Sequence, residues 1–311
     1  MNIGLLTGCQ SDKHLSTPVY DELKLLGMQP YFISLTQNNI IDSYHKANHQ
    51  FNQFKYDFIL AVADRKEQLG GVLAAFDNNI PIGHLYSGDL NTDVSDDIHR
   101  AAITLYSNIQ FCSCLESTEN TIRLMRAAGL VPDANYVGAT HFNGKNIEEI
   151  KANEYGLHTY KPYILILINS ENKGNDEKII EEVLEKIKYF LPSEHPCKFR
   201  FNIAKGNNDN EDLETKLFTE IMKKTDGEIN IVRDNRQNHN FFLSLIANSY
   251  MFITNSSAAI YEAPALINQE NIIIVGNRNK ERTHISMDLA HDGKVSQRVA
   301  QLIKTYLEAR T

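Results

Sequence analysis

The sequence contains no tryptophan, four cysteines and eight prolines in 311 residues, and it has no surplus of positive charge. Each shortage narrows the field. No apolar run approaches the ~18–20 residues that a bilayer span needs, so a membrane protein is not expected. The opening Met1-Asn2-Ile3-Gly4-Leu5-Leu6 enters an apolar stretch with no basic segment before it, which does not read as a secretory signal. Cys9, Cys112, Cys114 and Cys197 are read as structural free thiols. Cys112-Ser113-Cys114 lies in an apolar strand-like run, where a metal pair is not expected. These features suit a reducing, cytoplasmic setting. With 31 basic against 39 acidic residues, the net charge of −8 carries no electrostatic footprint for nucleic acid. A small phosphorylated ligand stays open, because such sites use a few local groups.

What the chain does have is alternation. Asn2–Leu6 reads as a buried strand, followed by a polar loop and a helix entered at Thr17-Pro18 and closed by Gly27. Phe58–Ala63 is a short continuous apolar run, as expected for a strand covered on both faces. Strand-like runs at Ile80–Leu85, Ile109–Cys114, Tyr163–Ile168, Phe199–Ile203, Ile229–Val232, Tyr250–Ile253 and Ile272–Val275 are spaced by helical patterns. Such spacing predicts an α/β fold of parallel sheets. The length fits two domains of ~150 residues. The polar stretch 144–161 shows no strand and is taken as the boundary, giving 1–155 and 156–311 as two Rossmann-like domains facing each other across a cleft.

In doubly wound sheets ligands bind beyond the carboxyl ends of the strands, so polar clusters directly after strands are the candidates. Thr7–Lys13 has a single glycine and no dinucleotide fingerprint. Asp64-Arg65 stands at the mouth of a buried strand, where a surface salt bridge is the plain alternative. His84 through Arg100 is the richest polar segment, with Asp89, Asp93, Asp96 and Asp97 within nine residues. Helix capping accounts for one or two of these acids but not all four. Asp97 and Arg100, three apart, share a helical face. Gathered carboxylates suit general acid/base work on a sugar. A metal held by the same acids lacks a ligand spacing.

Asn255-Ser256-Ser257 opens a helix carrying Glu262, and hydroxyls with free N–H groups at a helix start make a phosphate cradle. An ordinary helix cap with a solvated Glu is the plain alternative. Arg278, Lys280 and Arg282 follow the last strand, and the planar guanidinium fork suits phosphate oxygens. Asn169-Ser170 ends the strand that begins the second half.

Taken in order, these segments resemble the UDP-N-acetylglucosamine 2-epimerase family over most of the chain. Ala63-Asp64-Arg65 is similar to the family's His-Gly-Asp-Arg, and Ile80-Pro81-Ile82-Gly83-His84 to its Ile-Pro-(Ile/Val)-x-His strand. The run Asp96 to Thr104 resembles Asp-Asp-Ser-Ile-Arg-His-Ala-Ile-Thr, and Asn255 to Pro264 resembles Asn-Ser-Ser-x-Gly-x-x-Glu-Ala-Pro. Gly276 to Arg282 resembles Gly-x-Arg-Gln-x-Gly-Arg, and Val137-Gly138 fits the close of the first domain. Asp-Arg, the Asp-Asp pair and Asn-Ser-Ser point to the hydrolysing branch, which releases UDP and N-acetylmannosamine through a glycal.

The resemblance implies a GT-B-like fold, with a final helix (about 294–307) packed back on the first domain and an assembly expected to be a homodimer. It implies a UDP-sugar substrate in amino-sugar or surface-glycan biosynthesis, and no cofactor or metal. Asp64, Asp96, Asp97 and Arg100 are its implied catalytic cluster. Arg65, His84, Asp89, Ser256, Ser257, Glu262, Arg278 and Arg282 are its implied substrate and nucleotide contacts. Four positions depart from the family: Gln10 and Leu15 stand where the diphosphate cations are expected, Tyr86 where a carboxylate is, and Asn169 where a histidine is. Ala259 also replaces the glycine of the serine motif. These departures imply slow hydrolysis or a changed substrate, with Asp89 or His84 standing in for the missing acid. A relative that binds nucleotide sugar without epimerising it, or a GT-B glycosyltransferase, are the alternatives.

Overall fold

A computed structural model describes residues 1–90, 94–143, 147–152, 162–171, 175–191, 199–205, 211–224, 229–232, 239–279 and 292–310, without the side chains of 94–96, 147, 152, 211 and 212. Cys197, Arg282, most of the stretch 144–161 and the side chain of Asp96 therefore lie outside the described residues. Two compact units make up the chain, one of residues 1–144 with 281–311 and one of 145–280.

In the first unit, strands β1 (Asn2–Thr7), β2 (Gln29–Ser34), β3 (Phe58–Val62), β4 (Ile82–Leu85), β5 (Ile109–Cys112) and β6 (Ala134–Tyr136) run parallel in the order β2-β1-β3-β4-β5-β6. Helices α1 (Gln10–Leu25), α2 (Ile40–Gln53), α3 (Lys66–Asp77), α4 (Val94–Tyr106) and α5 (Leu115–Ala127) make the crossovers. Helices on the faces explain why β3 is apolar at all five positions, each fully buried. Leu6, Ile33, Phe51, Ile59, Ala61, Val72 and Ile103 form part of one core cluster here. Strand order reverses between β1 and β3, so the loops after these two strands flank the crevice that such sheets use for ligands.

α1 begins about two turns before the expected Thr17-Pro18 entry, and Pro18 lies inside it. Proline removes one helical N–H, and the turn before it is reinforced from side chains. Ser16 Oγ donates to the Asp12 carbonyl at 2.7 Å and Thr17 Oγ1 to the Lys13 carbonyl at 2.6 Å. Asp12 Oδ2 accepts the Gly8 N–H at 2.8 Å and so ties the loop to the helix. Gln10 and Leu15 are thereby helical residues and not loop residues. β6 has no counterpart in the sequence reading, since three half-buried residues carry no periodic signal.

The second unit holds α6 (Ile147–Ala152) and a parallel sheet of β7 (Tyr163–Leu167), β8 (Arg200–Ala204), β9 (Ile229–Val232), β10 (Met251–Thr254) and β11 (Ile272–Ile274), in the order β11-β10-β7-β8-β9. Helices α7 (Asp176–Ile187), α8 (Glu211–Met222), α9 (His239–Ala247), α10 (Ala258–Tyr261) and α11 (Ala263–Leu266) connect them. Ile164, Ile166, Val183, Phe201, Ile203, Leu217 and Ile253 belong to its core. Order reverses between β7 and β10, so Asn169 and Asn255 flank the crevice that such sheets use for ligands.

α12 (Val295–Glu308) packs against α1. Arg298 donates from Nε and Nη2 to the Val137 carbonyl at 2.9 and 2.7 Å, and Ser296 N–H donates to Asn143 Oδ1 at 2.8 Å. Among the described residues no helix is long and apolar enough to cross a membrane.

Close helix contact in the first unit depends on a missing side chain. A Cβ at Gly70 of α3 would sit 2.2 Å from the Ile40 carbonyl oxygen at the start of α2. Gly70→Ala is expected to lower the unfolding free energy by about 1–3 kcal/mol despite alanine's better helix propensity. Urea denaturation checks this, and an unchanged midpoint would show that α2 is free to retreat.

Candidate active site

The candidate residues fall into two groups, one at the strand ends of each unit. In the first, β3 ends at Val62, and Ala63 adopts a left-handed conformation with φ of 60°. That conformation costs a non-glycine residue about 1–2 kcal/mol. Tyr86, just past β4, is left-handed as well, with φ of 68°. The two bends lie side by side, and the Ala63 N–H donates to the Leu85 carbonyl at 2.9 Å. They lead into the segments that carry Asp64 and Asp89.

Arg100, on α4, gathers this edge. Its guanidinium is almost wholly buried, pairs with Asp64 Oδ2 through Nη2, and donates from Nη1 to the Tyr86 carbonyl at 3.2 Å. Asp89 Oδ2 lies 3.9 Å from Nη1. The Asp89 carboxylate is itself buried and accepts the hydroxyls of Ser113 and Ser117 on Oδ1, each at 2.6 Å. Asp64, Arg100 and Asp89 are thus brought together, with Asp64 more exposed than Asp89. Asp97 sits one turn before Arg100 on α4 and is partly buried. Asp96 is on the same helix by its backbone.

His84 lies beneath this group, fully buried, and burial pushes its pKa down to about 4. The neutral ring donates from Nε2 to the Ala63 carbonyl at 2.7 Å, so Nδ1 accepts from the Thr104 hydroxyl at 3.0 Å. That tautomer orients a buried chain: Thr104 accepts from Ser87 at 3.0 Å and Ser87 from Thr121 at 2.9 Å, with Cys112 Sγ donating to Thr121 at 3.5 Å. Both ring nitrogens are thus engaged, Nε2 on the left-handed bend at Ala63 and Nδ1 on Thr104. Burial lifts the Cys112 thiol to about 12, which makes it unreactive. Cys114 is also buried, and its sulfur caps α5 by accepting the Ser117 N–H at 3.4 Å.

The residues at the departing positions are built into the fold. Tyr86 OH accepts the Thr140 N–H at 2.9 Å and lies 3.1 Å from His141 Nδ1. Gln10 Nε2 is 3.0 Å from His14 Nε2, and the Leu15 carbonyl accepts the Thr140 hydroxyl at 2.8 Å. Asn169 is bracketed by Asn255. The Asn169 N–H donates to Asn255 Oδ1 and Asn255 Nδ2 to the Asn169 carbonyl, both at 2.7 Å.

At the β1/β3 crevice, residues that sequence reasoning passed over do the supporting. Gln68 Nε2 donates to Asp12 Oδ2 at 2.9 Å, and burial raises the Asp12 pKa. Glu67, fully buried, accepts Arg65 Nε at 2.6 Å and orients that half-buried guanidinium. In the sequence Asp12 reads only as part of the polar loop Thr7–Lys13, and nothing local marks Gln68.

In the second unit the helix expected after Asn255 is two single turns, α10 and α11, broken at Glu262 before Pro264. Ser256 is already engaged: its N–H donates to Thr254 Oγ1 at 2.9 Å, its Oγ accepts the Ala258 N–H at 3.3 Å, and its carbonyl accepts Asn279 Nδ2 at 2.9 Å. Ser257, partly buried, begins α10. Buried Glu262 lies 3.5 Å from His239 Nε2. Arg278 Nη1 reaches the Ser170 carbonyl at 3.4 Å. Among the described residues no group of three or more His, Cys, Asp or Glu is placed to hold a metal ion.

Comparison with known proteins agrees with this layout. The family model described as UDP-N-acetylglucosamine 2-epimerase matches residues 5–311. The Polysialic acid biosynthesis protein P7 of Escherichia coli is 27% identical over 241 residues, 75% of this chain and 58% of its own length. The hydrolyzing UDP-N,N'-diacetylbacillosamine 2-epimerase of Legionella pneumophila is 25% identical over 288 residues, 80% of this chain and 71% of its own. The chain thus spans little more than half of the first relative. The solved UDP-GlcNAc 2-epimerase of Methanocaldococcus jannaschii, in complex with UDP-GlcNAc and UDP, superimposes with a TM-score of 0.77 at 16% identity, covering 98% of this chain and 100% of that one. The Neisseria meningitidis enzyme bound to UDP-GlcNAc gives 0.74 at 15% identity, with 98% and 100% covered. This likeness establishes a GT-B-like fold of two Rossmann-like units.

His84 also sets a pH dependence. Its ring takes a proton near 6.5 in the unfolded chain but only at about 4 when folded. Between those values the unfolded chain binds more protons, so stability falls as pH drops from 6.5 toward 4. Chemical denaturation across this range should show that fall, and His84→Gln should flatten it. An identical slope in the variant would assign the effect to other groups.

Proposed function

Since the chain belongs to the UDP-N-acetylglucosamine 2-epimerase family, we propose that it acts on a UDP-linked N-acetylhexosamine, releasing UDP and the C2-inverted sugar by way of a glycal. The C2 hydrogen is not acidic, so its removal must be coupled to departure of UDP from C1 and to positive charge developing there. A carboxylate close to a fixed cation suits that step, so Asp64 is assigned to face the sugar while Arg100 fixes its orientation. Water then adds to the glycal, and the C2 proton is delivered to the opposite face. Asp96 and Asp97 on α4 are assigned to the same chemistry. Ser257, Glu262, Arg278 and Arg282 are assigned to the UDP part, with Ser256 shaping the turn that Ser257 leaves. Arg65, oriented by Glu67, is assigned to a phosphate, which offsets Gln10 and Leu15 at the positions of the expected cations. His84 and Asp89 act on the substrate only through the residues they hold.

The observation that carries this reading is the buried Arg100 shared between Asp64 and Asp89 at the carboxyl edge of β3 and β4. The hydrolysing outcome rests on the Asp-Arg, Asp-Asp and Asn-Ser-Ser pattern, and on the hydrolyzing Legionella pneumophila relative. A second reading, binding without turnover, is favoured by one fact. Tyr86, at the place of an expected carboxylate, is pinned by Thr140 and His141 and offers no acid.

Incubation of the protein with UDP-N-acetylglucosamine, followed by proton and phosphorus NMR, is expected to show free UDP together with N-acetylmannosamine. Asp64→Asn should slow that release by ~10²–10⁴-fold. UDP affinity measured by calorimetry should fall by about 1.5–3 kcal/mol in Glu262→Ala. Binding of the nucleotide sugar with no UDP released over hours would decide for the second reading, and unchanged affinity in Glu262→Ala would remove that residue from the nucleotide site.

A further inference from the structure

Glu171, two residues past Asn169, belongs to none of the assignments above, yet it ties together three strand ends of the second sheet. Its Oε1 accepts the backbone N–H groups of Asn277 at 2.8 Å and Arg278 at 3.0 Å, and Asn255 Nδ2 lies at 3.4 Å. The Glu171 N–H in turn donates to Asp176 Oδ1 at 3.1 Å, while Asp176 Oδ2 accepts the Ser170 hydroxyl at 2.7 Å. The preceding N–H, that of Gly276, donates to Glu182 Oε2 at 2.9 Å.

Three successive backbone N–H groups aimed at carboxylates form an anion-binding nest, here filled by the chain's own acids. The turn is moulded around Glu171. Gly276 has φ of 68°, and a Cβ there would lie 2.5 Å from Glu171 Oε1. Glycine meets both demands without moving the Glu171 carboxylate or straining the backbone.

This turn carries the side chains that face the neighbouring strand ends. Arg278 is drawn to the Ser170 carbonyl, and Asn279 donates to the Ser256 carbonyl. Asn279 is buried, and its Oδ1 has no hydrogen-bond partner among the described residues. A buried acceptor without a donor costs free energy, and a donor brought by a ligand would relieve it.

We propose that Glu171 is a positioning residue for nucleotide binding: it holds the Gly276–Arg278 turn in the shape that presents Arg278 and Asn279 at the carboxyl edge of β7 and β10. The inference rests on the UDP-sugar reading above. An acid near a diphosphate would ordinarily weaken binding by repulsion. Here the Oε1 lone pairs are spent on two backbone donors, so the ordered turn outweighs the charge.

The test compares wild type, Glu171→Ala and Glu171→Gln, using UDP as the probe. Calorimetry should show UDP binding about tenfold or more weaker in Glu171→Ala, the equivalent of one lost charge-assisted hydrogen bond. Glu171→Gln, which keeps the shape and an acceptor oxygen, should fall between the two. Amide hydrogen exchange at Asn277 and Arg278 should quicken in the same order. Turnover of the nucleotide sugar should show a raised KM with kcat changed by less than about twofold, because the turn acts on binding and not on the reacting carbon.

UDP binding in Glu171→Ala equal to or tighter than wild type would overturn the proposal, as would a fall in kcat at constant KM. Should Glu171→Ala fail to fold, Glu171→Gln decides by the same criteria. A wild type that binds UDP without turnover leaves the calorimetric test intact and defeats only the hydrolytic reading. A wild type that binds no UDP overturns the nucleotide reading and this role with it.

Discussion

A guanidinium cannot shed its charge, and Arg100 holds one almost entirely out of water. Removing either partner of a buried ion pair leaves an uncompensated charge, at a cost of about 3–5 kcal/mol. The edge of the first sheet is arranged to prevent this. Asp64 and Asp89 approach from two different strand ends, and the Tyr86 carbonyl turns inward to accept a third contact. That turning accompanies the left-handed backbone at Tyr86, and the matching bend at Ala63 brings Asp64 within reach. His84 then fixes the Ala63 carbonyl from below. Two strained residues and a neutral buried histidine therefore serve one cation.

The second unit orders its described strand ends differently, with side chains that imitate backbone. Asn255 brackets Asn169 much as another strand would, extending the pairing of β7 and β10 beyond their last residues. Glu171 does the same for the turn after β11. Such contacts are directional, so they hold the shape of the loops. One unit's edge is thus built around a buried cation, and the other's on side-chain amide and carboxylate groups that bind backbone.

Much of this was visible in the sequence. Continuous apolar runs marked β3 and β7 because both faces of a parallel strand are covered, and the helix spacing announced the crossovers. Motifs after strands marked Asp64, Arg100 and Glu262 as residues worth watching. The start of α1 was misplaced because Pro18 reads as a helix entry, whereas Ser16 and Thr17 compensate for it inside the helix. The single helix read after Asn255 was two turns, since Pro264 interrupts it at Glu262. Glu171 and Gln68 escaped notice because their partners lie far along the chain, and Glu67 because an acid in the first turn of a helix reads as ordinary although its partner Arg65 is two residues away.

Local pattern determined the class of fold, the parallel strands and the kinds of side chain available at each strand end, because periodicity and residue chemistry are properties of short segments. Strand order was not legible, since hydrogen-bonded neighbours such as β10 and β7 are 84 or more residues apart in sequence. The fate of the departing residues was equally hidden. Tyr86 reads as a lost carboxylate until Thr140, 54 positions away, is found donating to its hydroxyl. Charge, burial and tautomer depend on which groups meet across such distances, and only the folded chain decides that.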